Sequence, residues 1–280
     1  MRNLEGYSQQ PEKLISLGTM AAGLAHELNN PAAAAWHAST HLQQSVTQAQ
    51  RYFKQPVVAL GIETPRLREF VAGQVMTLKP GWSAEQAIDL CERLLGEPEL
   101  ETRGAGILLL GAFRDQLTPD FLSRAKLWLE QRLDNWALVD SFCSSILSPL
   151  LERHWVEEII LELWSDDSSL WVRRAVMVTF VPFARRGERL EAAYEVAREH
   201  LCDPEDLMHK AVGWLLRECG KTDMKRLQQF LLLYGPAIPR TTMRYAIERF
   251  PAAQRARLLR ATQRKSNRSP RGTVEGTLKR

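Results

Sequence analysis

One position in this chain holds a carboxylate where the surrounding pattern calls for a small residue. Asp140, in Asp134-Asn135-Trp136-Ala137-Leu138-Val139-Asp140, falls at a register place that alanine occupies at 105, 175, 211 and 246. A charge at a packing position costs stability unless it is paired or faces a cleft. Trp136 lies four residues earlier and so on the same helical face. Arg174 sits one repeat on and one place earlier, and Lys210, Trp214 and Arg217 follow in Lys210-Ala211-Val212-Gly213-Trp214-Leu215-Leu216-Arg217. In a stack of repeats, equivalent helices line a common surface, which would gather Trp136, Asp140, Arg174, Lys210, Trp214 and Arg217 in one groove. A carboxylate, aromatic faces and basic heads together suit a ligand that is anionic and partly apolar, a description that nucleic acid meets. The competing reading is structural: Arg174 neutralises Asp140 inside the fold, and the tryptophans are core.

The elements that must position these side chains are helices. Proline is scarce between residues 100 and 235, β-branched alternation is nearly absent, and apolar residues recur at spacings of three and four. Leu122, Ala125, Leu129 and Leu133 form one stripe; Val156, Ile159, Ile160 and Leu163 form another. Breaks fall at Thr118-Pro119-Asp120, Ser165-Asp166-Asp167-Ser168, Cys202-Asp203-Pro204-Glu205, Lys221-Thr222-Asp223 and Gly235-Pro236. Arg173-Arg174-Ala175-Val176, His209-Lys210-Ala211-Val212 and Arg244-Tyr245-Ala246-Ile247 align, and the spacing between residues 105, 140, 175, 211 and 246 is 35, 35, 36 and 35. A unit of that length holds two helices and buries its apolar face only against its neighbours. The expectation is an all-α solenoid of HEAT-like repeats. The segment Gly61-Ile62-Glu63-Thr64-Pro65 predicts a turn with Thr64 as N-cap and a helix from Arg66 to Val75.

Both ends differ from the repeats. Residues 1–45 form an N-terminal helical segment without the repeat, 46–252 the repeat domain, and 253–280 a basic tail of disordered composition. From Arg255 to Arg280 there are nine Lys or Arg against Glu275, although the whole chain carries only +4. Cys91, Cys143, Cys202 and Cys219 lie far apart without a C-x-x-C pair, so neither a zinc site nor a disulfide framework is expected, and no cofactor is required. An apolar fraction of 45% permits a core, while the longest apolar runs fall well short of a membrane span and the N-terminus lacks an apolar signal region. A cytoplasmic protein is expected.

Residues of about 45 to 252 resemble the AlkD-like group of DNA alkylation repair proteins, the HEAT-like repeat glycosylases. The matching blocks, in the family's order, are Tyr52-Phe53-Lys54 with Gly61-Ile62-Glu63-Thr64-Pro65, Asn135 to Asp140, Trp171-Val172-Arg173-Arg174-Ala175, and Lys210 to Glu218. The resemblance implies a monofunctional DNA glycosylase, a hydrolase of base excision repair that removes purines alkylated at N3 or N7 from double-stranded DNA. It makes Asp140 the catalytic carboxylate, packs Trp136 and Trp214 against the deoxyribose, and assigns Arg174 to support of the DNA backbone. Arg173, Lys210 and Arg217 are further candidate DNA contacts. Ala137 departs from the family, where relatives often carry an acidic residue.

The segment Leu14 to Pro31, with Ala25-His26-Glu27-Leu28-Asn29-Asn30-Pro31, resembles the phosphoacceptor helix of sensor histidine kinases, in which the position of His26 takes phosphate. Asn30, four places after His26, rules out a zincin pair, and no ATP-binding boxes follow residue 50. Three readings stay open: a packing or homodimerising helix, a phosphoacceptor served by a partner kinase, or a regulatory docking element. The alternative for the whole protein is a signalling or DNA-binding adaptor.

Overall fold

The computed structural model describes residues 57–153 and 156–262. The phosphoacceptor-like segment around His26, the Tyr52-Phe53-Lys54 block and the chain beyond residue 262 lie outside them. Among the described residues the regular structure is helical, with one isolated parallel bridge between Val58 and Glu99. The helices are α1 (Thr64–Leu78), α2 (Ala84–Leu95), α3 (Leu100–Gly111), α4 (Phe121–Gln131), α5 (Trp136–Phe142), α6 (Ser148–Glu152), α7 (Glu157–Trp164), α8 (Leu170–Arg186), α9 (Leu190–Glu199), α10 (Asp206–Cys219), α11 (Met224–Tyr234), α12 (Arg240–Ala246) and α13 (Ala252–Ala261). Ala105, Asp140, Ala175, Ala211 and Ala246 fall on α3, α5, α8, α10 and α12, the second helix of each successive pair. All four alanines are buried. The all-α repeat architecture expected from the period is therefore present. The chain divides into two compact units within α8, Met1–Thr179 and Phe180–Arg280, where the sequence pattern alone reads one repeat domain over 46–252.

In the first unit, Leu122, Ala125, Leu129 and Leu133 are buried as their spacing requires. Phe121 and Trp128 of α4 meet Phe142 of α5, with ring centroids 6.5 and 6.1 Å away, so the partner helix of the repeat is locked by aromatic edges. The second stripe is only partly right. Val156 and Ile160 are fully buried, but Leu163 is 64% exposed and Trp164 takes the inward place at 1%. From Ile160 the inward row reaches position 164 as readily as 163, and the larger indole buries more apolar surface there. Thr64 is not the cap of α1: Glu63 occupies that place in extended geometry without a side-chain bond, and Pro65 follows in the first turn. The loop before α1 is held from elsewhere. The carboxylate of Glu101, buried on α3, accepts N–H bonds from Leu60, Gly61 and Ile62 at 2.9, 2.8 and 3.2 Å. Gly61 adopts φ +78°, the left-handed geometry glycine tolerates without strain.

In the second unit α10 and α12 pack most closely. Thr242 donates its hydroxyl to the His209 carbonyl at 2.9 Å, and Thr241 donates to Asp206 at 3.2 Å. Gly213 makes the approach possible, because a Cβ there would stand 2.5 Å from Tyr245 Cβ and 2.8 Å from the Thr242 carbonyl. The turn at Gly187 (φ +78°) to Arg189 (φ 48°) separates α8 from α9, and the connections Gly96 to Glu99 and Arg132 to Asn135 separate α2 from α3 and α4 from α5. None of the three falls at the breaks expected from the sequence. Residues 253–261, expected in the tail, belong to α13. Its Ala, Arg and Leu content favours helix, and Leu258 and Thr262 are buried.

Replacing Gly213 with alanine forces α12 away from α10. We expect a loss of about 1–3 kcal/mol, read as a lower urea midpoint with unchanged slope; an unaltered midpoint would contradict the close approach.

Candidate functional site

Helix α5 begins where Asn135 caps it. Asn135 is buried, and its side-chain oxygen accepts the Leu138 N–H at 3.1 Å. A cap of this kind contributes about 1 kcal/mol. Its amide donates to Asp134 at 3.0 Å, and Asp134 is bridged in turn by Arg103 of α3, 3.0 Å away. Arg103 also donates to the Arg132 carbonyl. The loop from Arg132 to Asn135 is thus pinned by the preceding repeat, and α5 emerges with a defined start. Trp136, half-buried, is its first residue, and Asp140 follows one turn later on the same face.

Asp140 meets Arg174 of α8 through two parallel bonds: Nε donates to Oδ1 and Nη2 to Oδ2, both at 2.9 Å. The Arg174 side chain is 5% exposed and that of Asp140 16%, so the guanidinium lies inside and the carboxylate keeps an opening to solvent. Burial pushes the Asp140 carboxyl above its ordinary value of 3.8, while the charge and hydrogen bonds of Arg174 oppose that rise. In the folded chain the proton is held more tightly than in the unfolded one. The contribution of Asp140 to stability is therefore most favourable below 3.8 and declines as pH rises through the interval up to the folded value.

Directly after Asp140 the helix widens. Residues Cys143–Leu147 are π-helical, with the Ser148 N–H reaching back to the Cys143 carbonyl. Pro149 cannot donate to the fourth residue before it and crowds that carbonyl, which disfavours an unbroken α register. On α3, Gly111 lets this stretch approach closely, since a Cβ there would lie 3.1 Å from Ser145 Cβ. Two further contacts fasten the widened helix to α8: Cys143 Sγ to the Ala175 carbonyl at 3.6 Å, and Ser148 Oγ to the Thr179 carbonyl at 2.9 Å. The Cys143 thiol, pushed up by burial, is no nucleophile at neutral pH. A cleft of about 660 Å³ lined by Val71, Val75, Met76, Leu108, Ser144 and Pro149, among others, contains no carboxylate and offers no comparable chemistry.

Within the first unit the structure pairs Asp140 with Arg174 and places Trp136 one turn before Asp140 on α5. Trp214, half-buried on α10, Lys210 and Arg217 belong to the second. All four expected DNA-contacting cations are engaged with the protein, Arg174 through Asp140. Arg173 donates to the Asp167 and Ser168 carbonyls at 2.8 and 2.9 Å, Lys210 pairs with Asp206 at 2.7 Å, and Arg217 pairs with Glu248. Arg103, Asp134 and Asn135 were not singled out as supports of the site from the sequence. An asparagine three residues before Leu138, at the head of an apolar helix, was the available signal for the cap.

A family model described as DNA alkylation repair enzyme matches residues 39–250. No curated protein matches the sequence. A solved structure described as "Predicted DNA alkylation repair enzyme from Enterococcus faecalis" is similar in fold, with a TM-score of 0.64 at 16% identity; the match covers 75% of this chain and 96% of that one.

Removing Arg174 leaves the burial of Asp140 and deletes what opposes it. In an Arg174→Gln variant, NMR titration of carboxyl-labelled aspartate should find the Asp140 midpoint at higher pH than in the unsubstituted chain. A midpoint that stays or falls would contradict the pairing.

Proposed function

Because the chain belongs to the DNA alkylation repair enzyme family, we propose that it is a monofunctional DNA glycosylase acting on cationic N3- or N7-alkylated purines in duplex DNA. The observation that carries this reading is the Asp140 carboxylate, held bidentate by Arg174, partly open to solvent and sharing a helical face with Trp136. Alkylation at N3 or N7 places a positive charge on the base. When the glycosidic bond breaks, its electron pair passes to the base, which departs neutral and needs no proton from an acid. Positive charge spreads over the deoxyribose instead. Asp140 stabilises that charge and takes the proton of the water that attacks the sugar carbon. Trp136 presents an aromatic face to the same cation. Arg174 is a positioning residue in this scheme, since its guanidinium is spent on orienting Asp140. The sugar-packing role of Trp214 and the DNA contacts of Arg173, Lys210 and Arg217 are carried into this proposal from the family resemblance.

Duplex DNA bearing 7-methylguanine should release free 7-methylguanine when incubated with the protein. Asp140→Asn, which keeps the shape and removes the charge, should slow release by about 100-fold or more, the scale on which preorganised electrostatic groups act. Release at the uncatalysed rate by the unsubstituted protein, or undiminished release by Asp140→Asn, would overturn the assignment.

A further inference from the structure

Across the described residues basic side chains are commonly matched to acidic ones: Arg103 to Asp134, Arg153 to Asp115, Arg174 to Asp140, Arg185 to Glu218, Lys210 to Asp206, Arg226 to Glu191. The last hairpin breaks this habit. Arg240, Arg244, Arg249, Arg255, Arg257 and Arg260 are all exposed, and Glu248, the one acidic residue between positions 240 and 262, is already taken by Arg217. None of the six has a carboxylate within 4.0 Å among the described residues, whereas Arg217 and Arg226 in the same unit do. Residues 240–280 hold twelve Lys or Arg against Glu248 and Glu275; with a whole-chain charge of +4, the preceding 239 residues are net acidic.

The six arginines lie within one helical hairpin, from α12 to α13. Arg240 and Arg244 are one turn apart on α12, away from buried Thr242, Met243 and Ala246. Arg240 donates to the Leu259 carbonyl of α13 at 3.3 Å, and Arg255 reaches the Glu248 carbonyl, just beyond α12, at 3.5 Å, so the hairpin is held at both ends. Arg257 and Arg260, three apart, share one side of α13, while Arg255, two places before Arg257, projects from another. Helix α13 is roughly 15 Å long, which matches about four successive phosphates of one strand, spaced about 3.4 Å along the duplex axis. A lipid surface fits less well. Leu258 is buried, and an exposed α13 face of arginine, glutamine and alanine has no apolar stripe to insert. Helix α13 also lies beyond the residues 39–250 matched by the family model.

We infer that the exposed arginines of α12 and α13 form a sequence-independent DNA-backbone contact, separate from the Asp140 site, that supplies affinity for undamaged duplex. The inference rests on the reading of duplex DNA as partner. It moves general DNA affinity away from Lys210 and Arg217, whose charges are internally matched.

The test is binding of the full chain to fluorescently labelled undamaged duplex DNA over a range of salt concentrations. The triple variant Arg244→Gln, Arg257→Gln, Arg260→Gln should bind at least about tenfold more weakly at low salt, with the slope of log affinity against log salt reduced by about three. Lys210→Gln with Arg217→Gln should reduce the slope by less. An unchanged slope in the triple variant overturns the inference, as does tighter binding to phosphatidylglycerol vesicles or to duplex RNA than to duplex DNA at equal salt. The predicted loss of slope supports the contact even where no base is released, in which case the glycosylase reading alone falls.

Discussion

The bidentate pair between Asp140 and Arg174 is the constraint around which the first unit is arranged. Two charges taken out of water repay their desolvation only when geometry is close to ideal and both partners are held in place. Each neighbouring feature serves that condition. The Asn135 cap and the Arg103–Asp134 bridge determine where α5 begins, and so the height of Asp140 along the helix. The aromatic contacts of Phe142 hold α5 on α4. The π-helical stretch and its bonds to the Ala175 and Thr179 carbonyls keep α8 alongside. Loss of one partner would strand the other as an uncompensated charge, a penalty of about 3–5 kcal/mol in buried pairs.

The same arrangement accounts for the proposed chemistry without further groups. A base that already carries positive charge is a good leaving group, so the demand on the protein falls on the sugar side of the bond. A carboxylate whose orientation is settled before substrate arrives loses no free energy to reorganisation as charge develops. Burial raises the proton affinity of Asp140 and Arg174 opposes it; in its ionised form a carboxylate that is only partly solvated is the more effective counter-charge for a transient cation.

Much of the architecture was legible in the sequence because repeat spacing is a property of register. The period located the second helix of each pair and marked Asp140 as the exception among Ala105, Ala175, Ala211 and Ala246. It also brought Arg174 forward as the residue able to neutralise Asp140, the alternative that the bidentate contact realises. The paired carboxylate still keeps an opening to solvent, which the proposed chemistry requires. Spacing could not say what a side chain meets across the stack. Lys210 and Arg217 carry the right charge for DNA, yet their carboxylate partners Asp206 and Glu248 stand one turn and one repeat away. The π-helical widening follows from Pro149 acting with a packed neighbour at Gly111, and the shift from Leu163 to Trp164 follows from packing volume. Neither is written in periodicity.

The most direct measurement is a double-mutant cycle on single-turnover base release from 7-methylguanine DNA, using Asp140→Asn, Arg174→Gln and the pair of substitutions together. If Arg174 acts through Asp140, the double variant is no slower than Asp140→Asn alone, a full departure from additivity. Multiplying effects would show Arg174 acting on the DNA independently of the aspartate, and would contradict the positioning role on which this account of the site is built.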